Sequence, residues 1–462
     1  MDSQKNTPAR LVLPMEEWLT PVAGEDRLIA WSRTQEWRQS DFRRDVSVLI
    51  NQLQQQSPYR WALCFNDSYY FAVALLAVLY CNKLPVLPGH QRQTQLEEQQ
   101  PEFDALLTDC ALKLQCPTLM LPEAILVDEQ ADTCELPVFP RDASLVLFTS
   151  GSTGKPQKTI KSVASLQTES QWLAQRWGKQ LQGARFVATV SAQHMYGLTF
   201  RFMLPLGLGL PLYSSSLEVH EQLVFMANQF SLALVSSPTF LQRLDDRLNK
   251  ISSVQIFSAG GPLAAKEAAR VHQLCGVYPT DIYGTTETSI IASRQQQHEG
   301  TPWTLFDGVN LSLEPENRVR VFSELILHPE GIELSDNIEL AVNGREFHLL
   351  GRKDRIVKIA EQRLSLSEIE HRLCQLPTID DACVIAIEKN GRPYIAAVVV
   401  LSASARQQWQ QQSHSAVTLA LRQSLRPWLA AVALPRFWRF LPEIPLNQQG
   451  KRAYAELKEI FL

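Results

Sequence analysis

Residues 148–158 read FTSGSTGKPQK, and this stretch decides how the chain is to be read. Phe148 closes the apolar run Leu145-Val146-Leu147-Phe148, the pattern of a buried strand, and six of the next eight residues are Ser, Thr or Gly. A strand therefore feeds a flexible, hydroxyl-rich loop. Gly151 and Gly154 allow positive φ and close approach to a ligand, while Thr149, Ser150, Ser152 and Thr153 add hydroxyls to the backbone N–H groups that can face phosphate oxygens. A Walker A loop is excluded, because Thr149 stands where its first glycine belongs and Pro156 follows Lys155. On composition alone the stretch fits a phosphate cradle or a plain turn between two elements.

The chain has 462 residues, enough for two to four domains or subdomains, with 45% apolar and 20% charged residues, as in globular proteins. A net charge of −4 gives no bulk attraction for nucleic acid or an anionic membrane, which points to a small-molecule partner. The start, MDSQKNTPARLVLP, lacks an apolar stretch of signal-peptide length, and the longest apolar run, 69–81, is too short to span a bilayer. That run follows Asn66-Asp67-Ser68, good helix-capping residues, so a buried helix and a cytoplasmic protein are expected. The eight cysteines show no CxxC spacing and read as reduced thiols, neither disulfide framework nor metal site.

From 61 to 88 the pattern is strand (WALCF), capped helix, strand (LPVLP), a unit of a parallel α/β layer. Similar strands recur at 185–190, 232–235 and 254–257. After about residue 310 the pattern changes to short alternating strands such as Val319-Arg320-Val321-Phe322, a β-rich subdomain. The charged cluster Gly351-Arg352-Lys353-Asp354 marks a second boundary. An amphipathic helix (366–376) and strands at 382–387 and 394–400 follow, enough for a small α+β domain. The expected fold is thus α/β: a large N-terminal domain of α/β layers with a β-rich subdomain over 1–353, and a small α+β domain over 354–462. The glutamine-rich stretches at 52–56, 91–100 and 407–412 read as solvated helix faces or loops.

Four further segments follow the loop in order: SAGGPL (258–263), YGTTE (283–287), GRKDRIVKI (351–359) and NQQGK (447–451). Together with FTSGSTGKP this series resembles the adenylate-forming superfamily of acyl-CoA synthetases, peptide-synthetase adenylation domains and luciferases, over most of the chain from about Trp61. The resemblance implies ATP and Mg²⁺ as cofactors and two half-reactions. A carboxylate is a poor electrophile until AMP replaces its oxygen as leaving group. Its attack on the α-phosphorus of ATP brings two anions together, so positioning and neutralising cations carry the catalysis.

The resemblance also implies roles, residue by residue. Thr149, Ser150, Gly151, Ser152, Thr153, Gly154 and Lys155 would hold the β- and γ-phosphates. Glu287 would bind Mg²⁺ as a hard oxygen ligand, and Thr286 would hydrogen-bond the α-phosphate or acyl carboxylate. Gly260, Gly261 and Pro262 would form the turn along adenine, with Tyr283 stacked on the base and Gly284 beside it. Asp336 and Arg352 would hold the ribose, Asp336 lying in Leu-Ser-Asp where the family has Thr-Gly-Asp. Lys451 matches the mobile lysine that bridges carboxylate and α-phosphate, and Asp354 matches the hinge about which the small, mobile C-terminal domain rotates to admit the thiol.

Two positions depart from the family pattern. Gln157 stands where a lysine is usual in the phosphate loop, with Lys158 or Lys155 to replace its charge, and Glu361 stands where a glycine lets the backbone near the pantetheine thiol. The segment Gln193-His194-Met195-Tyr196-Gly197 resembles the histidine-aromatic-glycine segment of acyl- and aryl-CoA synthetases, placing His194 near the substrate carboxylate. Amino-acid-activating relatives carry Phe-Asp there. The expectation is an AMP-forming ligase for a non-amino aryl or fatty acid, passing the acyl group to the thiol of CoA or of an acyl carrier protein, similar to compact ligases of fatty-acid or aryl-polyene pathways. A stand-alone amino-acid adenylation domain and a non-catalytic nucleotide-binding relative are the alternatives.

Overall fold

The computed structural model describes residues 11–461 apart from 22–23, 127–134, 151–155, 247–250, 252, 316–317, 353–354, 360–361, 390–391 and 447–451. Two compact units divide the chain: Met1–Asn310 with Phe322–Ile332, and Leu311–Val321 with Glu333–Leu462.

The first unit contains two mainly parallel sheets. Strands β1 (Leu28–Trp31) and β2 (Glu36–Arg38) pair as an antiparallel ribbon. The next six strands are β3 (Arg60–Cys64), β4 (Leu84–Leu87), β5 (Ala105–Thr108), β6 (Thr118–Met120), β7 (Ser144–Ser150) and β8 (Pro156–Ser162). They form one sheet in the order β6-β5-β3-β4-β7-β8, parallel except for the β7–β8 hairpin. The expected strand-helix-strand unit is β3, the helix Ser68–Tyr80 and β4. Asp67 caps that helix by accepting from the N–H groups of Tyr69 (2.8 Å) and Tyr70 (3.3 Å). The helix is apolar all round and nearly every residue is buried, as such a pattern requires. Each of Leu75, Leu76 and Leu79 contributes roughly 1.5–3 kcal/mol by leaving water.

The second sheet takes β9 (Arg185–Ala188), β10 (Leu212–Tyr213), β11 (Leu232–Ser236), β12 (Ser253–Ser258), β13 (Thr280–Thr285), β14 (Ser289–Gln295) and β15 (Trp303–Leu305). The order within this unit is β15-β14-β13-β12-β11-β9-β10-β1-β2. Strands from β13 through β1 run parallel, and β14, β15 and β2 are antiparallel additions at the edges. All five residues of β11 are buried, the near-continuous apolar run of a strand covered on both faces. In open α/β sheets ligands collect beyond the carboxyl ends of parallel strands. The loop after β7, the turn after β12, the turn after β13 and the segment after β9 all lie at such ends, and together they hold most of the residues singled out from sequence.

In the second unit the β-rich pattern is realised as β16 (Asn310–Glu314), β17 (Arg318–Phe322) and β18 (Ile332–Glu333), with the hairpin β19 (Asp336–Leu340) and β20 (Glu346–Arg352). Beyond it come the hairpin β21 (Ile356–Ile359) and β22 (Gln362–Ser365), the helix Leu366–Cys374, and a sheet of β23 (Ile379–Lys389), β24 (Arg392–Leu401) and β25 (Phe437–Phe440). One face of that sheet packs Val384, Ala397 and Val399 against Ile369 and Leu373 of the helix, and the other packs Cys383 and Val398 against Leu457 and Phe461.

Among the described residues seven cysteines are free; Cys134 lies outside them. Burial pushes the thiols of Cys275 and Cys374 up to about 11 and that of Cys383 up to about 12, because a thiolate has no water there. Iodoacetamide at pH 8 is therefore expected to leave Cys275 and Cys383 unmodified in the native protein and to alkylate both in urea. Peptide mass spectrometry reads the result, and rapid native labelling would contradict the burial.

Candidate active site

Strand β7 delivers Phe148, Thr149 and Ser150 to the hydroxyl loop, and β8 leaves it at Pro156 with Ser150 opposite Pro156. Gly151, Ser152, Thr153, Gly154 and Lys155 lie outside the described residues. Beside the entry strand sits Gly89, at φ +81° after β4. A Cβ there would lie 3.2 Å from the Phe148 carbonyl and 3.1 Å from His194 Cε1, so a side chain at this position would crowd both. The missing side chain thus lets the half-buried His194 imidazole lie against the strand that enters the loop. Sequence reasoning singled out both ends of this contact but not Gly89 between them.

His194 is held by the residues around it. The Gln193 side chain accepts from Phe65 N–H at 3.1 Å and donates to the Phe65 carbonyl, pairing with a backbone at the end of β3 much as a strand would. Gly197 packs so tightly on the Ser191 carbonyl that a Cβ would lie 1.8 Å from its oxygen. Tyr196 leans on Phe200 with ring centroids 5.1 Å apart.

Tyr283 and Gly284 lie on β13, and Thr286 and Glu287 in the turn to β14. A Cβ on Gly284 would meet the Ser289 carbonyl at 2.2 Å, so only glycine fits. Thr285 N–H donates to Thr288 Oγ1 (3.1 Å) and Thr288 N–H to Thr285 Oγ1 (3.2 Å), which closes the turn on itself. Ser289 takes φ +61°, a left-handed conformation that costs a non-glycine residue about 1 kcal/mol or more. The side chain of Glu287 makes no hydrogen bond or ion pair with any described residue, while its carbonyl accepts from Lys161 Nζ at 3.0 Å.

Lys161, on β8, is 2% exposed and also donates to Ser289 Oγ at 2.9 Å. Glu169, on the helix Val163–Leu181, is 1% exposed and accepts from Ile290 N–H at 3.0 Å and Thr199 Oγ1 at 3.1 Å. Burial pulls the Lys161 ammonium below its ordinary value, against the attraction of Glu169 and Glu287. Burial raises the Glu169 carboxyl, with Lys161 the first influence opposing it. Neither residue was singled out from sequence, where a lysine in an exposed-looking hairpin carries no mark of burial.

The remaining nucleotide-facing candidates follow the sheet. Gly260, Gly261 and Pro262 form an exposed turn after β12, with Gly260 at φ +94° and no protein atom within 4 Å of its missing Cβ. Flat backbone is therefore presented to solvent. Tyr283 packs against Trp303 (centroids 5.6 Å), over which Arg294 lies at 4.4 Å while pairing with Asp281 at 3.2 Å. Burial pushes the Asp281 carboxyl up to about 6 despite Arg294.

In the second unit Asp336 and Arg352 are directly opposed partners on β19 and β20. Asp354, Glu361 and Lys451 lie outside the described residues. Their neighbours do not: Arg355 and Arg452 converge on the carboxylate of Glu370, Arg452 Nη1 at 3.0 Å, and Arg452 also reaches Asp381 at 2.7 Å. Burial works against the Arg452 cation, but Glu370 and Asp381 outweigh it and raise its pKa. The segments flanking the expected hinge and the expected lysine thus share one anion.

A family model for AMP-binding enzymes matches residues 47–322, and one for the AMP-binding enzyme C-terminal domain matches 368–451. A mitochondrial malonate–CoA ligase of Bos taurus is 24% identical over 429 residues, covering 76% of this chain and 70% of the relative. A 4-coumarate–CoA ligase of Cereibacter sphaeroides is 26% identical over 316 residues, covering 67% and 70%. The fold is similar to that of ATP-bound MatB from Rhodopseudomonas palustris, with a TM-score of 0.81, 18% identity, and 97% and 99% of the two chains covered. With the family match spanning more than half of its length, the chain belongs to the AMP-binding enzymes, the adenylate-forming superfamily.

Proposed function

We propose that this chain is an AMP-forming acid–thiol ligase. It converts a non-amino carboxylic acid and MgATP to acyl-AMP and pyrophosphate, then transfers the acyl group to a thiol. One observation carries the reading: Lys161, on the strand leaving the hydroxyl loop, is bonded to the Glu287 carbonyl and so ties the phosphate-holding and metal-holding segments together. Phosphates on the first would bring their metal to the second.

The residues present fit Mg²⁺ arriving on a nucleotide. No group of three or more His, Cys, Asp or Glu able to hold a metal occurs among the described residues. Glu287 supplies one hard carboxylate, and Mg²⁺ is commonly held by one or two carboxylates plus substrate phosphates and water. When bound, the ion would neutralise charge on the phosphates that leave as pyrophosphate.

In this reading residues 149–155 cradle the β- and γ-phosphates, and Thr286 donates to the α-phosphate or the acyl carboxylate. Gly260, Gly261, Pro262, Tyr283 and Gly284 receive adenine, Asp336 and Arg352 the ribose. His194 orients the acid at the mouth of β7. Lys451 bridges the carboxylate and the α-phosphate, and residues 354–462 turn about Asp354 between the two half-reactions. CoA is the acceptor better supported, since malonate–CoA and 4-coumarate–CoA ligases are among the relatives. A carrier-protein phosphopantetheine is the other. The histidine-bearing segment, with no acid at 193–197, speaks for an aryl or aliphatic acid over an amino acid.

Pyrophosphate release measured over a panel of dicarboxylic, aryl, aliphatic and amino acids is expected to occur with one of the non-amino classes. Release with amino acids alone, or with none, would overturn the proposal, and adding CoA or a phosphopantetheinylated carrier protein separates the acceptors. Lys451→Ala is expected to slow acyl-AMP formation on the order of 10²-fold or more while sparing transfer from supplied acyl-AMP. Equal loss in both steps would remove Lys451 from the adenylation step.

A further inference from the structure

Two buried residues of opposite charge grip the turn that carries Glu287. The Lys161 ammonium takes the Glu287 carbonyl and the Ser289 hydroxyl, and the Glu169 carboxylate takes the Ile290 N–H. Cation on carbonyl and anion on amide is the arrangement that satisfies both charges and both backbone dipoles at once. The segment they hold is short and strained: Gly284 admits no side chain, and Ser289 sits at φ +61° with its hydroxyl bonded to Lys161.

The grip reaches three separate parts of the site. Lys161 stands on β8, in the strand that leaves the phosphate loop. Glu169 lies one helix further on and accepts a second bond from Thr199, five residues after His194. The contacts cross 126 and 121 residues of sequence, so they are tertiary devices and not local turn chemistry. A buried lysine is not needed to close the turn, since the Thr285 and Thr288 hydroxyls already do so. What it adds is a fixed link between the turn and the phosphate strand.

We infer that Lys161 and Glu169 are positioning residues for the metal-bound nucleotide: by clamping residues 287–290 onto β8 they hold the Glu287 carboxylate where the phosphates bring the ion. This rests on Glu287 being the metal ligand. Neither side chain touches substrate; each acts through the turn. Residues that orient a ligand from behind commonly change metal affinity 10- to 100-fold when replaced.

The test is the gain in nucleotide affinity that a metal confers, measured by calorimetry on the full chain with a non-hydrolysable ATP analogue, with and without Mn²⁺, and by the Mn²⁺ electron-spin resonance signal. Lys161→Met, and Lys161→Met combined with Glu169→Gln to avoid leaving one charge buried alone, are expected to reduce that gain by about 10-fold or more. Affinity for the metal-free analogue should stay near that of the unaltered protein, and Lys161→Arg should recover part of the gain. A folded double variant whose metal-dependent gain is unchanged overturns the inference, even if its melting temperature falls. Should the Lys161 variants fail to fold, Ser289→Ala, which removes only the hydroxyl acceptor, is expected to show a smaller loss of the same gain, and none would again overturn it. Glu287→Gln run in parallel separates the two claims. Loss in Glu287→Gln without loss in the Lys161 and Ser289 variants sinks the positioning role alone, whereas an unchanged gain in Glu287→Gln removes Glu287 from the metal and this inference with it.

Discussion

Burying a charge in protein costs several kcal/mol unless it is met by opposite charge and hydrogen bonds, and this chain buries two, one on β8 and one on the helix that follows it. Lys161 and Glu169 lie at 2% and 1% exposure, and what satisfies them is the Glu287 carbonyl, the Ser289 hydroxyl, the Ile290 N–H and the Thr199 hydroxyl. The first sheet, through β8 and the helix after it, and the second, through the turn into β14, are therefore joined by buried charged groups. Removing one partner leaves the other unsatisfied, a change that typically costs 3–5 kcal/mol. The spatial relation of β8 and the turn bearing Glu287 thus rests on an electrostatic demand as much as on apolar packing.

Much of the architecture is legible in the residue pattern. The apolar run ending at Phe148 is strand β7, the capped apolar stretch after Asp67 is a buried helix, and the alternation at 319–322 is strand β17. These features are local and periodic, so a short window carries them. The motifs are legible for another reason: glycines at 260, 284 and 197 stand where side chains have no room or where φ is positive, constraints that show in the sequence as fixed residue types. Lys161, Glu169 and Glu370 were not legible. Charged residues ordinarily face water, and nothing within ten residues of them marks the distant partner that makes burial tolerable. Gln193 was read as a neighbour of His194, when its amide is bonded 128 residues away to Phe65.

The second unit uses the same economy on a smaller scale. Glu370, on a helix packed against β23, gathers Arg355 from before that helix and Arg452 from after β25. An arginine held by a carboxylate and a carbonyl is a stiff support, since its planar fork loses little freedom per bond formed.

Gln193 offers a last consequence. Because its amide substitutes for a peptide group against Phe65, the segment after β9 is fastened to the end of β3, and the fastened residue directly precedes His194. Gly197 closes the same segment, where a Cβ would strike the Ser191 carbonyl, so the residues between Gln193 and Gly197 are fixed at both ends. A fold stitched in this way sets the reach of the side chains between its two anchors, while the frame around them stays where the sheets put it.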